Sequence, residues 1–97
     1  MPYFSVMLHG EGINIPGDNG EDALIGFYTT RLVKAKTRQE AEIKAKEMII
    51  TEWSSGPCAM ANEGPLPKLT VETVTDKTFF DSLRVKNTGY SFYSHAD

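Results

Sequence analysis

Apolar and polar residues alternate from Tyr3 to His9. Phe4, Val6 and Leu8 fall on one side, and Tyr3, Ser5, Met7 and His9 on the other. A period of two over this length predicts a strand. Gly10 and Gly12 flank Glu11 and predict a bulge or bend before Ile13-Asn14-Ile15. The acidic stretch 16–24 opens with Pro16-Gly17-Asp18-Asn19-Gly20-Glu21-Asp22, turn-forming residues that predict a loop. Ile25 to Ala35 is then rich in aromatic and β-branched residues, among them Phe27, Tyr28, Thr29, Thr30 and Val33. This predicts a second strand, antiparallel to the first in a long hairpin.

The period changes after Ala35. Thr37-Arg38-Gln39-Glu40 matches a capping box, in which the threonine hydroxyl accepts an amide proton and the glutamate reaches back to the threonine amide. No glycine or proline follows until Gly56-Pro57, so a helix is predicted over Arg38–Trp53. Glu40 with Lys44 and Glu42 with Lys46 add pairs one turn apart in the favourable order. Cys58 to Pro67 reads as a connection. Lys68–Thr75 alternates again, with Leu69, Val71 and Thr73 on one side, and predicts a third strand. Asp76–Leu83 holds Phe79, Phe80 and Leu83 at helical spacing and predicts a short helix. Asn87-Thr88-Gly89 is a turn, and Tyr90–Tyr93 a fourth strand at an edge.

The expected fold is therefore α+β, a single domain over residues 1–97. The order is β-β-α-β-(short α)-β, with one long helix packed on one face of an antiparallel (mixed) sheet of three to four strands. A helix of this length carries the chain back along the sheet, so the third strand belongs beside the first, in the spatial order 2-1-3. The expected core is Phe4, Val6, Leu8, Leu69 and Val71 against Ala41, Ala45, Met48, Ile49 and Trp53.

At about 100° per residue, Ile43 and Ile50 lie well away from the centre of that helical stripe. The outward strand positions also carry large apolar side chains: Tyr3, Met7, Tyr28 and Leu32. Such an excess predicts an interface, most simply a homodimer or contact with another protein, unless the chain covers these positions itself.

Composition removes several classes. With 40% hydrophobic and 24% charged residues, the chain has ordinary globular composition. The balance of 10 Lys+Arg against 13 Asp+Glu lacks the basic surplus of most nucleic-acid binders. No apolar run approaches a membrane span, and Met1–Val6 has neither the basic nor the long apolar part of a secretion signal. Cys58, the sole cysteine, permits no intrachain disulfide, which points to a cytoplasmic protein.

Candidate chemistry is sparse. Cys58 has neither His9 nor His95 placed beside it as a base, so a half-buried structural thiol is expected. No His/Cys/Asp spacing matches a metal site, and the acidic loop lacks the alternating ligands of a calcium loop. No catalytic residue, cofactor or metal is therefore predicted. His9, Tyr28 and Arg31 are the candidate ligand-binding residues, as the polar lining of a pocket completed across a dimer. Arg31, Lys34, Lys36 and Arg38 beside Tyr28 would instead suit a single-stranded nucleic acid.

Gly26-Phe27-Tyr28, followed by Thr37-Arg38-Gln39-Glu40-Ala41 leading into Lys44-Ala45-Lys46-Glu47-Met48-Ile49, resembles the strand-to-helix entry of HicB-type antitoxins and related partial ferredoxin-like domains. The resemblance implies the α+β architecture. The leading functional expectation is a non-enzymatic domain acting through self-association and protein contact.

Overall fold

The computed structural model describes residues 2–17, 20–77 and 89–94. Four strands and two helices follow one another along the chain: β1 (Tyr3–Ile15), β2 (Leu24–Lys34), α1 (Arg38–Ser54), α2 (Pro57–Ala61), β3 (Lys68–Lys77) and β4 (Ser91–Ser94). The sheet has the order β3-β1-β2-β4, and every neighbouring pair is antiparallel. The expected 2-1-3 arrangement is therefore present, and β4 adds to the free side of β2.

β1 and β2 form the long hairpin, pairing Tyr3 with Lys34, Met7 with Thr30 and Gly10 with Phe27. The glycine-flanked bend expected after His9 is an irregularity inside one strand: the register shifts between Glu11 and Ile15, and Gly12 takes φ 89°. A side chain at that angle is strained, so glycine is the residue that lets β1 continue.

Thr37 caps α1 as expected, its Oγ1 accepting the Glu40 amide at 3.1 Å. Glu40 does not return the bond to Thr37. Its carboxylate pairs with the Lys44 ammonium at 3.1 Å and also accepts the Lys36 backbone amide, and these contacts lower its pKa, with Lys44 the larger influence. Thr37→Ala is expected to cost about 1 kcal/mol, read as a lower urea midpoint with an unchanged slope.

α1 ends at Ser54, and Gly56 at φ 90° turns the chain. Pro57 then opens the short helix α2, because its missing amide proton is not needed at a first helical position. The short helix thus lies before β3. Of the one expected at Asp76–Leu83, Asp76 and Lys77 belong to β3 and the remainder lies outside the described residues.

The core lies between α1 and one face of the sheet. Phe4, Val6, Leu8, Phe27 and Val33 meet Ala41, Ala45, Ile49 and Trp53, with Met48, Leu69, Val71 and Val74 packed around them. A bulge in β3 corrects the expected pattern there. Thr73 pairs with Met7 but Val71 pairs with Leu8, so the extra residue Glu72 passes the inward position to Val74 and leaves Thr73 exposed. Phe27 is the other addition to the core: it is fully buried, and its ring lies over Gly10, where any Cβ would collide with it. The Phe27 and Trp53 rings stack at 5.2 Å and 6°. The Trp53 indole nitrogen is buried without a hydrogen-bond partner among the described residues.

Candidate functional site

Because α1 covers one face, the residues of opposite parity on β1, β2 and β3 define a second, outer face. Register sets them in rows. Tyr3 stands between Lys34 and Lys77, Ser5 between Leu32 and Thr75, Met7 between Thr30 and Thr73, His9 between Tyr28 and Thr70, and Glu11 between Gly26 and Lys68. Met7 is thus the middle of five outward positions on β1, and Lys34 Nζ lies 5.8 Å from the Tyr3 ring centroid.

An aromatic cluster occupies one end of this face. His9 stacks on Tyr28 at 4.8 Å and on Tyr93 at 5.7 Å, and its Nε2 is 2.5 Å from the Tyr93 hydroxyl. Gly26 makes this contact available. Tyr93 of β4 lies across the glycine, in space that a Cβ would claim, and so reaches His9 on β1. Burial, then the neighbouring Tyr28 and Glu11, raise the Tyr93 pKa, so the hydroxyl stays protonated at neutral pH. The shallow recess here, about 490 Å³, is lined by His9, Tyr28, Ser91, Phe92 and Tyr93. His9 lies against both tyrosine rings, so they do not form the row of separate rings on which successive bases stack.

Arg31 is not part of this cluster. It lies three residues from Tyr28 on one strand and therefore on the opposite, helix-covered face, 6% exposed. There it makes a two-pronged contact with Glu52 of α1, at 2.6 and 3.1 Å, while its Nε donates to Thr29 at 3.3 Å. The Tyr90 hydroxyl donates to the same carboxylate at 2.6 Å, and the guanidinium lies 5.3 Å from the Tyr90 ring centroid. Expected pocket partners are thus separated: His9 and Tyr28 stand together, and Arg31 serves the core. The basic cluster is divided as well, since Arg31 is paired internally and Arg38 faces Asp76 at 3.7 Å.

Glu52 and Tyr90 are the polar residues that sequence reasoning missed. Glu52 reads as one more exposed helix charge until β2 is placed beneath it. Burial opposes its charge, but the Tyr90 hydroxyl and Arg31 outweigh that and lower its pKa below the ordinary 4.5. A carboxylate lowered in the folded state contributes stability that is fully present above its unfolded pKa and is lost as pH falls through the folded value. The denaturation midpoint is therefore expected to fall on acidification below about pH 4.5, and Glu52→Gln to flatten part of that dependence in a urea titration series.

Of the expected interface residues, Tyr3, Met7 and Leu32 belong to the outer sheet face. Ile43, 57% exposed, and the half-buried Ile50 flank a separate shallow groove on α1 with Lys46, Glu47 and Thr51. Cys58 is half-buried, and its thiol pKa is raised by burial and then by Glu52, against the opposing influence of Arg31, which disfavours the reactive thiolate. Among the described residues, no group of three or more His, Cys, Asp and Glu side chains gathers to hold a metal, and no helix is long and apolar enough to cross a membrane.

The class is accordingly an α+β domain with a helix on one face of a four-stranded antiparallel sheet and a second face built around Met7, His9 and Tyr28. Comparison with protein-family models, with curated proteins and with solved structures finds no match.

Proposed function

We propose that this domain works by contact with other protein surfaces, including its own, and that the outer sheet face is where it does so. The observation that carries this reading is the continuity of that face. Met7, His9, Tyr28 and Tyr93 adjoin one another on three strands, whereas Ile43 and Ile50 are two isolated apolar groups among charges. Contiguous apolar and aromatic surface is what protein contacts use.

Edge pairing is the less favourable route. β3 carries Lys68, Asp76 and Lys77 and a bulge at Glu72, features that discourage a further strand from adding to it. A ligand-binding subunit completed across a dimer would use the His9–Tyr28–Tyr93 recess, without Arg31.

Met7→Asp is expected to weaken self-association strongly, because it places a charge in the middle of the face, next to the His9–Tyr28 cluster. Ile43→Asp is expected to leave association unchanged. Sedimentation equilibrium over a concentration series tests both, and equal behaviour of the two variants would remove the sheet face from consideration.

A further inference from the structure

The geometry points to the Tyr28–Tyr93 pair as an oxidative modification site, at which a one-electron oxidant joins the two phenol rings into an intrachain dityrosine while His9 takes up the Tyr93 proton.

Register brings the rings together. Antiparallel pairing sets Tyr28 opposite Ser91 and Tyr93 opposite Gly26, so the two tyrosines are diagonal neighbours on one face. Gly26 has no side chain to hold them apart, and the ring centroids lie 6.0 Å from one another with planes tilted by 42°. Among the described residues no other pair of tyrosine rings adjoins. Tyr3 lies at the far end of β1, and Tyr90 packs on Phe27, Trp53 and Phe92. Tyr28 is 39% exposed and both rings border the shallow recess, so an oxidant reaches them without unfolding.

A phenol that loses an electron becomes a very strong acid, so oxidation is easiest where a base stands ready for the proton. His9 is that base. With its ring proton on Nδ1, its Nε2 accepts the Tyr93 hydroxyl at 2.5 Å. Tyr93 holds its proton at neutral pH, so electron and proton leave together. The Tyr28 proton goes to water. The ring edges must still close to bonding distance, a movement that the partly exposed Tyr28 has room to make. The two neutral radicals then couple through carbons ortho to oxygen, and the hydrogens on those carbons move to the oxygens, restoring both phenols. Two electrons and two protons have left the chain. A haem peroxidase uses them to reduce one hydrogen peroxide to two waters. The new bond fastens β4, a strand of four residues, to β2.

The test is brief treatment of the full chain with peroxidase and hydrogen peroxide at low protein concentration, read by dityrosine fluorescence, gel mobility and peptide mass mapping. The expected product runs as a monomer and lacks two hydrogens, with the link between the peptides that hold Tyr28 and Tyr93. Tyr28→Phe and Tyr93→Phe keep both rings and are each expected to abolish nearly all of the monomer's fluorescence, whereas Tyr3→Phe retains it. His9→Phe keeps a flat ring in the stack but no base. It is expected to slow the coupling roughly tenfold or more at neutral pH, and added imidazole to restore the rate as an external base. Slowing that imidazole does not relieve, or no slowing at all, would overturn the role of His9 as proton acceptor. Fluorescence that survives in Tyr28→Phe or Tyr93→Phe, linked dimers as the main product, or no link in the parent chain would overturn the site itself.

Discussion

Phe27→Ala is expected to remove about 3–5 kcal/mol of stability, a large part of the roughly 5–15 kcal/mol that holds a domain together. Phe27 is the centre of an aromatic layer, stacked on Trp53 at 5.2 Å and approached edge-on by Tyr90 at 4.8 Å and Phe92 at 6.1 Å. It also fills the space over Gly10, so truncation leaves a gap that the backbone beneath cannot fill with a side chain. The loss spans three elements, because the ring joins β2 to α1 and to β4. Chemical denaturation should show a much lower midpoint. Tyr28→Ala, one residue on and facing the other way, is expected to cost far less stability and to weaken self-association instead. Similar stability losses for the two variants would contradict the register of β2.

Glu52→Ala is expected to cost about 2–3 kcal/mol, below the 3–5 kcal/mol of a fully buried ion pair because the glutamate side chain is 40% exposed. The cost arises chiefly at its partner. Arg31 has a side chain only 8% exposed and keeps its charge, so without Glu52 it is left with Thr29 as a weaker acceptor. Tyr90 loses its carboxylate at the same time, which should loosen β4 against α1. Hydrogen exchange of β4 amides would therefore accelerate beyond what the global destabilisation accounts for. Arg31→Met with Glu52→Leu, which removes both charges, is expected to recover much of the lost stability. Failure of the double variant to recover would mean that the pair itself, and not the stranded arginine, carries the energy.

Much of this architecture was legible from period and capping alone. Alternation fixed the faces of β1, Thr37 marked the start of α1, and Gly56-Pro57 marked its end within a residue of the structure. Features that depend on pairing were not legible. The bulge at Glu72 substitutes Val74 for Thr73 in the core, and nothing in Lys68–Lys77 alone marks that slip. Tyr28 was correctly expected to face outward, but its inward neighbour Phe27 was missing from the expected core, because the space its ring fills lies over Gly10 of another strand. Arg31 reads as a surface charge because its counter-ion comes from another element. Its separation from Tyr28 was informative nonetheless, since three residues along a strand place two side chains on opposite faces. On the outer face, His9 with Tyr28 follows from hairpin register, whereas Tyr93 joins them only because Gly26 leaves room.

The most direct test is the solvent exposure of two methyl-bearing side chains, read by NMR relaxation from a soluble paramagnetic agent as protein concentration rises. Protection of the Met7 methyl with increasing concentration, while Ile43 stays fully relaxed, is the expected result. A Met7 methyl that remains as accessible as Ile43 at the highest concentration would contradict it.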